Sequence, residues 1–135
     1  MPYAGKISAG QKMNWSDPYE SDDYEFVPSV MAAQGRFCCR IDGDSMFDLL
    51  HPDDLCVFHP HRSPRLNLVV LYRHFDMTGT IKQLKHDGER FILHPTNPAY
   101  EDVHAQGDCL GYLVGIVRKW GSREVMVYDP DGITP

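Results

Sequence analysis

The sequence predicts a mostly β domain: a small, strongly bent antiparallel sheet or partly open barrel. Three observations carry that prediction. From Phe26 onward, short runs rich in Val, Ile, Leu, Phe and Tyr are separated by Gly, Pro, Asp and Asn, the punctuation of strands and turns. A helical turn is plausible only near Met46–Leu50 and Pro28–Ala33. The chain has 135 residues, 42% of them hydrophobic and without repeats or low-complexity tracts, which suits a single ordinary domain able to bury its own core.

Taken in order, residues 1–27 read as an N-terminal arm. Ala4-Gly5 and Ala9-Gly10 make its first ten residues small and flexible, and Gln11–Glu25 is polar and acidic. Low apolar content there argues for an extended arm rather than a packed element, docking if at all through Trp15, Tyr19 and Tyr24. Residues 28–135 form the body. Its candidate strands are Phe37–Ile41, Leu55–His59, Leu68–Phe75, Gly79–Lys85, Arg90–His94, Leu110–Trp120 and Glu124–Tyr128. Asp87-Gly88 reads as the hairpin turn between the fourth and fifth.

Charge narrows the function classes. Thirteen basic against nineteen acidic residues give a net −6, and the longest basic cluster, His59–Arg65, is short and broken by proline. A surface that grips duplex phosphates needs more than that, so any action at DNA is expected to lie outside this chain. No apolar run approaches the ~20 residues of a membrane helix, and nothing near Met1 has the form of a secretory signal. The expectation is a cytoplasmic protein with no membrane partner.

Cys38, Cys39, Cys56 and Cys109 form no CxxC pair and no zinc ladder, so reduced thiols are expected, with Cys38 and Cys39 on opposite faces of one strand. His59-x-His61 invites a metal reading. The seven histidines are nevertheless scattered without carboxylates at fixed offsets, and surface or packing roles are expected instead. Neither metal nor cofactor is predicted.

Two residues carry chemistry. Gly43-Asp44-Ser45-Met46 follows the first body strand where the chain must turn, and it exposes a serine. Most Gly-x-Ser turns are only turns, and a serine hydroxyl needs a base to become a nucleophile. None of the histidines stands in a context that singles it out. Lys82, in Thr80-Ile81-Lys82-Gln83-Leu84, is mid-strand and shares a face with Leu84. Burial would lower its pKa toward the range of a useful base, although periodicity alone favours a strand lysine that snorkels to solvent. Asp42 and Asp44 would keep a nearby lysine charged, so both are expected to point to solvent. Asn97-Pro98 is expected to shape a turn rather than bind anything.

Together, Gly43–Met46, Thr80–Lys85, Pro95–Tyr100 and Gly111–Val117 resemble the LexA/UmuD family of self-cleaving serine peptidases, the C-terminal domains of LexA-like and phage repressors. Ser45 and Lys82 stand 37 positions apart, and Met1–Gln11 resembles the cleavage-site region. The resemblance covers nearly the whole chain. It implies a fold of the LexA C-terminal type and a Ser45–Lys82 dyad. It also implies an oxyanion site from the Asp44 and Ser45 backbone N–H groups, and scission of Ala9–Gly10. A homodimer paired through C-terminal strands and a RecA-type filament as activator are further implications. No helix-turn-helix precedes the resemblance, so the expectation is the regulatory half of a longer repressor whose DNA-binding domain is absent from this chain. The alternatives are a UmuD-like translesion polymerase accessory factor and a catalytically silent dimerisation module. Three departures stand out. Asp53-Asp54 and Leu66-Asn67 replace Gly-Asp steps, and Gly121–Pro135 is longer than usual.

Overall fold

The computed structural model describes residues 1–8, 13–14, 27, 31, 35–61, 65–76, 78–120 and 122–127; of these, 4–8, 13–14, 119–120 and 122–127 are described as backbone only. Among the described residues, ten strands form one sheet: β1 (Tyr3–Ser8), β2 (Met13–Asn14), β3 (Phe37–Asp42), β4 (Leu55–Pro60), β5 (Val69–His74), β6 (Thr78–His86), β7 (Phe91–His94), β8 (Val103–His104), β9 (Gly107–Trp120) and β10 (Ser122–Val127). All seven predicted strands are present, with ends shifted by at most three residues. Of the predicted helical turns, the first is a single hydrogen-bonded turn, Leu50 N to Met46 O at 2.8 Å; the second falls almost wholly outside the described residues. Among the described residues, no helix is long and apolar enough to cross a membrane.

The strands run in the order β1-β3-β4-β9-β5-β6-β7-β8, with β2 paired to β6 and β10 to β9. This hydrogen-bonded path does not return to β1, so the sheet is open. β9 is its axis: β4 pairs along Gly111–Val117, β5 along Gly107–Tyr112 and β10 along Gly115–Trp120. Register shifts between Val57 and Phe58 and between Leu71 and Tyr72 mark bulges against β9, and such bulges bend a sheet. The β6–β7 connection is longer than a two-residue turn. Asp87 Oδ1 accepts from Glu89 N and Arg90 N, both at 2.8 Å, and Gly88 takes the positive φ of 98°.

The described parts of the arm are extended and pair with the body: β1 lies parallel to β3, and Met13–Asn14 pairs with Gly79–Thr78 of β6. Trp15, Tyr19 and Tyr24 lie outside the described residues.

Apolar side chains cover both faces of the bent sheet. On one, Phe37 and Phe58 stack at 5.9 Å among Ile41, Met46, Leu71 and Ile81. On the other, Met31, Cys38 and Val57 form one cluster and Val70, Leu84 and Leu93 another. Cys38 and Cys39 therefore face opposite ways, as strand alternation requires. All four cysteines are buried thiols, none of them in a disulfide.

One ion pair is sealed into this core. Arg118 on β9 donates from Nε and Nη2 to the two oxygens of Asp54, each at 2.8 Å. The Asp54 side chain is 0% exposed and that of Arg118 12%. His51 N adds a third bond to Asp54 at 2.8 Å, and Arg118 Nη2 reaches Leu49 O at 3.4 Å. The fork thus fastens the 46–54 segment to the axial strand. Removing one partner strands a buried charge, a cost of about 3–5 kcal/mol. Urea unfolding of Arg118→Ala is expected to show a loss of that size; a loss below about 1 kcal/mol would mean water already screens the pair.

Candidate active site

Ser45 is held by a short turn whose shape follows from its sequence. β3 ends at Asp42, and Gly43 turns the chain at φ 90°, where a side chain would cost roughly 1–2 kcal/mol. Phe47 N then bonds Asp44 O at 3.0 Å, and the buried side chains of Met46 and Leu50 draw the turn against the sheet. The expectation of an exposed serine is overturned: Ser45 is 0% exposed. Its Oγ has no hydrogen-bond partner among the described residues. A buried hydroxyl without a partner is costly and rare, and such groups call for an explanation.

Lys82 lies on β6, opposite Val70 of β5. It does not snorkel: it is 7% exposed, on the same face as Thr80 and Leu84. Its Nζ donates to Thr80 Oγ1 at 2.8 Å and to Ile81 O at 3.1 Å. Burial penalises the ammonium and lowers the pKa from 10.5 to about 8. An appreciable neutral fraction therefore exists near neutrality, which an exposed lysine lacks.

No hydrogen bond joins Ser45 Oγ to Lys82. Residues 95–100 make the link. They continue from β7, which pairs with β6 through Gln83 and His94, beside Lys82. Asn97 N donates to Ser45 O and Asn97 Nδ2 to Asp44 O, both at 3.0 Å. Asn97 Oδ1 meanwhile accepts from Ala99 N at 3.0 Å. Thus Asn97 shapes its own turn, as expected, and also clamps the serine turn, which sequence reasoning missed. Tyr100 completes the clamp by donating its hydroxyl to Asp44 Oδ1. Asp44 is exposed but engaged, whereas it was expected simply to face solvent. Its carboxylate holds the Tyr100 hydroxyl above the usual phenol range. Asp42 is exposed as expected.

Two histidines do have carboxylate partners, against expectation: His94 Nδ1 lies 2.6 Å from Asp102 Oδ1, and His51 Nε2 lies 3.3 Å from Asp48 Oδ1. Their offsets of eight and three residues follow from the β7–β8 pairing and a tight turn, neither of which a motif search reveals. Neither ring bonds Ser45 Oγ. His59 accepts from Arg36 Nε at 3.2 Å and lies against Tyr112, and burial, then Arg36, then His61 lower its pKa. Among the described residues, no three His, Cys, Asp or Glu side chains gather to hold a metal. Ala9 and Gly10 lie outside the described residues.

The family model described as Peptidase S24-like matches residues 2–117. A LexA repressor of Vibrio atlanticus is 28% identical over 124 residues, covering 87% of this chain and 59% of that protein. LexA repressors of Vibrio parahaemolyticus and Vibrio cholerae are each 30% identical over 124 residues, and 59% and 58% of their lengths are covered. The chain thus spans just under three fifths of the curated relatives it matches.

The buried lysine has a thermodynamic signature. Its pKa is lower folded than unfolded, so between pH 8 and 10.5 the unfolded chain binds more protons and stability rises with pH. Below pH 8 the full penalty applies, at most about 3 kcal/mol. Lys82→Met is therefore expected to be more stable than the parent at pH 7 by up to that amount, with the advantage fading toward pH 10.5. Denaturant midpoints across pH 7–10.5 check this; equal midpoints at pH 7 would mean the amine is solvated.

Proposed function

The chain belongs to the Peptidase S24-like family, and on that premise we propose that it is the self-cleaving regulatory domain of a LexA-like transcriptional repressor. It would cut its own Ala9–Gly10 bond with a Ser45–Lys82 dyad. The observation that carries this reading is the burial of two polar side chains, an orphaned serine hydroxyl in a turn held by Asn97 and a lysine whose pKa falls to about 8.

The chemistry follows from those groups. Neutral Lys82 Nζ accepts the Ser45 Oγ proton as Oγ attacks the Ala9 carbonyl carbon. The oxyanion is held by the N–H groups of the Asp44–Ser45 turn, the kind of preorganised donor that contributes most in acyl transfer. Lys82 then returns the proton to the Gly10 amine as the peptide bond breaks, and water hydrolyses the Ser45 ester. Because the substrate is the chain's own arm, tethering replaces binding affinity. Two backbone ladders support this. Ser8 faces Asp42, three residues before Ser45, and Met13 faces Gly79, three residues before Lys82. The chain on both sides of Ala9–Gly10 is therefore anchored to the strands that lead into the dyad. In this role the domain would pair with a second copy, respond to a RecA-type filament in a DNA-damage response, and act in the cytoplasm. It would reach DNA through a domain outside this chain.

One observation favours a second reading, a catalytically silent dimerisation module: Lys82 Nζ bonds Thr80 and Ile81, and Ser45 Oγ bonds neither lysine nor anything else among the described residues. Intact mass against time separates the two. Self-cleavage predicts loss of Met1–Ala9 at a rate rising about tenfold per pH unit up to pH 8 and levelling above it, because the neutral lysine is the active form. Ser45→Ala abolishes the loss, and Lys82→Ala slows it by roughly 10²–10⁴-fold. A mass unchanged at both pH 7 and pH 10 would support the silent module. Asn97→Ala is expected to slow cleavage on the order of ten- to a hundredfold, the scale of a small misplacement of reacting groups, without moving the pH midpoint. A shifted midpoint would mean Asn97 acts on Lys82 rather than on the serine turn.

A further inference from the structure

We propose that β1 is a docking strand that outlasts scission: once Ala9–Gly10 is cut, Tyr3–Ser8 stays bound to the edge of β3, so that cutting and release are separate steps. The inference takes the position of the cut from the preceding reading, while the pairing stands independently of it.

Among the described residues, the pairing of β1 with β3 is made by residues on the N-terminal side of the proposed cut. Tyr3 pairs with Cys38, Lys6 with Arg40, Ile7 with Ile41 and Ser8 with Asp42. Pro2 O accepts from Cys38 N at 2.9 Å and from Cys38 Sγ at 3.3 Å. Met1 and Tyr3 pack against the apolar cluster of Met31, Cys38, Leu55, Val57, Val114 and Val117. Hydrolysis consumes one water and leaves a carboxylate on Ala9 and an amine on Gly10. Both new groups lie beyond the last paired residue, so none of these contacts is removed.

The edge of β3 also favours an occupant. β1 stands at one end of the sheet, and β4 occupies the other side of β3. Withdrawing β1 would uncover a row of backbone N–H and C=O groups on a strand whose Phe37, Cys38, Cys39 and Ile41 are all buried. An extended peptide with apolar anchors is the ligand such an edge takes, main-chain bonds giving affinity and side-chain pockets giving selectivity. The occupant here is the chain's own residues 1–8. Scission only removes the tether, which converts an intramolecular contact of roughly millimolar effective concentration into an ordinary reversible complex.

The test uses the full chain carrying Ser45→Ala, with a site-specific protease sequence in place of residues 9–12, nicked by the added protease. The expected result is that fragment and body remain one species in native mass spectra at micromolar concentration. The Cys38 amide is expected to keep its protection from hydrogen exchange, and Tyr3→Asp to lower the bound fraction at least tenfold. A fragment that separates from a folded body at once, with the Cys38 amide exchanging freely, would overturn the proposal. Because an added protease makes the cut, this outcome is independent of Ser45 and Lys82. An absence of self-cleavage in the unmodified chain would count against the peptidase reading alone.

Discussion

Asn97 is the hinge on which the arrangement of the site depends. A serine on a loop and a lysine on a strand have no intrinsic reason to keep a fixed separation, since loop backbones drift more than sheet backbones. Here one amide side chain and its own N–H group hold two successive carbonyls, Asp44 O and Ser45 O, and the segment carrying that amide is the direct continuation of the hairpin bearing Lys82. The serine turn is thereby referenced to the lysine's strand rather than to solvent. Arg118 supports the same segment from below through Asp54 and Leu49 O. The Ser45 turn is thus gripped from both the hairpin and the axial strand.

The fold was readable because strands bury apolar runs and turns demand particular residues, and both leave marks on the sequence. The departures are instructive. Asp53 and Asn67, standing where Gly-Asp steps were expected, adopt φ of 68° and 70°. Aspartate and asparagine are the non-glycine side chains most tolerant of that left-handed region, so both turns form without glycine. The arm was less readable. β1 earns its place through backbone pairing to β3, a long-range contact that local composition does not encode, and its Ala-Gly steps read as flexible.

The site was legible in its chemistry and illegible in its geometry. Periodicity alone favours a snorkelling lysine at position 82, and the structure buries it instead. Ser45 was expected to be exposed because glycine-serine turns usually are. Met46 and Leu50, which draw it inward, signalled otherwise only through their own apolarity. The roles of Asn97 and Tyr100 were hidden because each acts on a backbone or carboxylate more than fifty positions away.

The complete burial of Ser45 bears on selectivity. A protease that processes foreign chains must display its nucleophile in an open cleft, and its danger to the cell scales with that openness. A hydroxyl with no solvent-accessible surface presents nothing for a passing polypeptide to meet. Discrimination then needs no recognition pocket at all. In the proposed self-cleavage it would rest on which segment is admitted, and residues 3–8 and 13–14 of the same chain are already laced to β3 and β6.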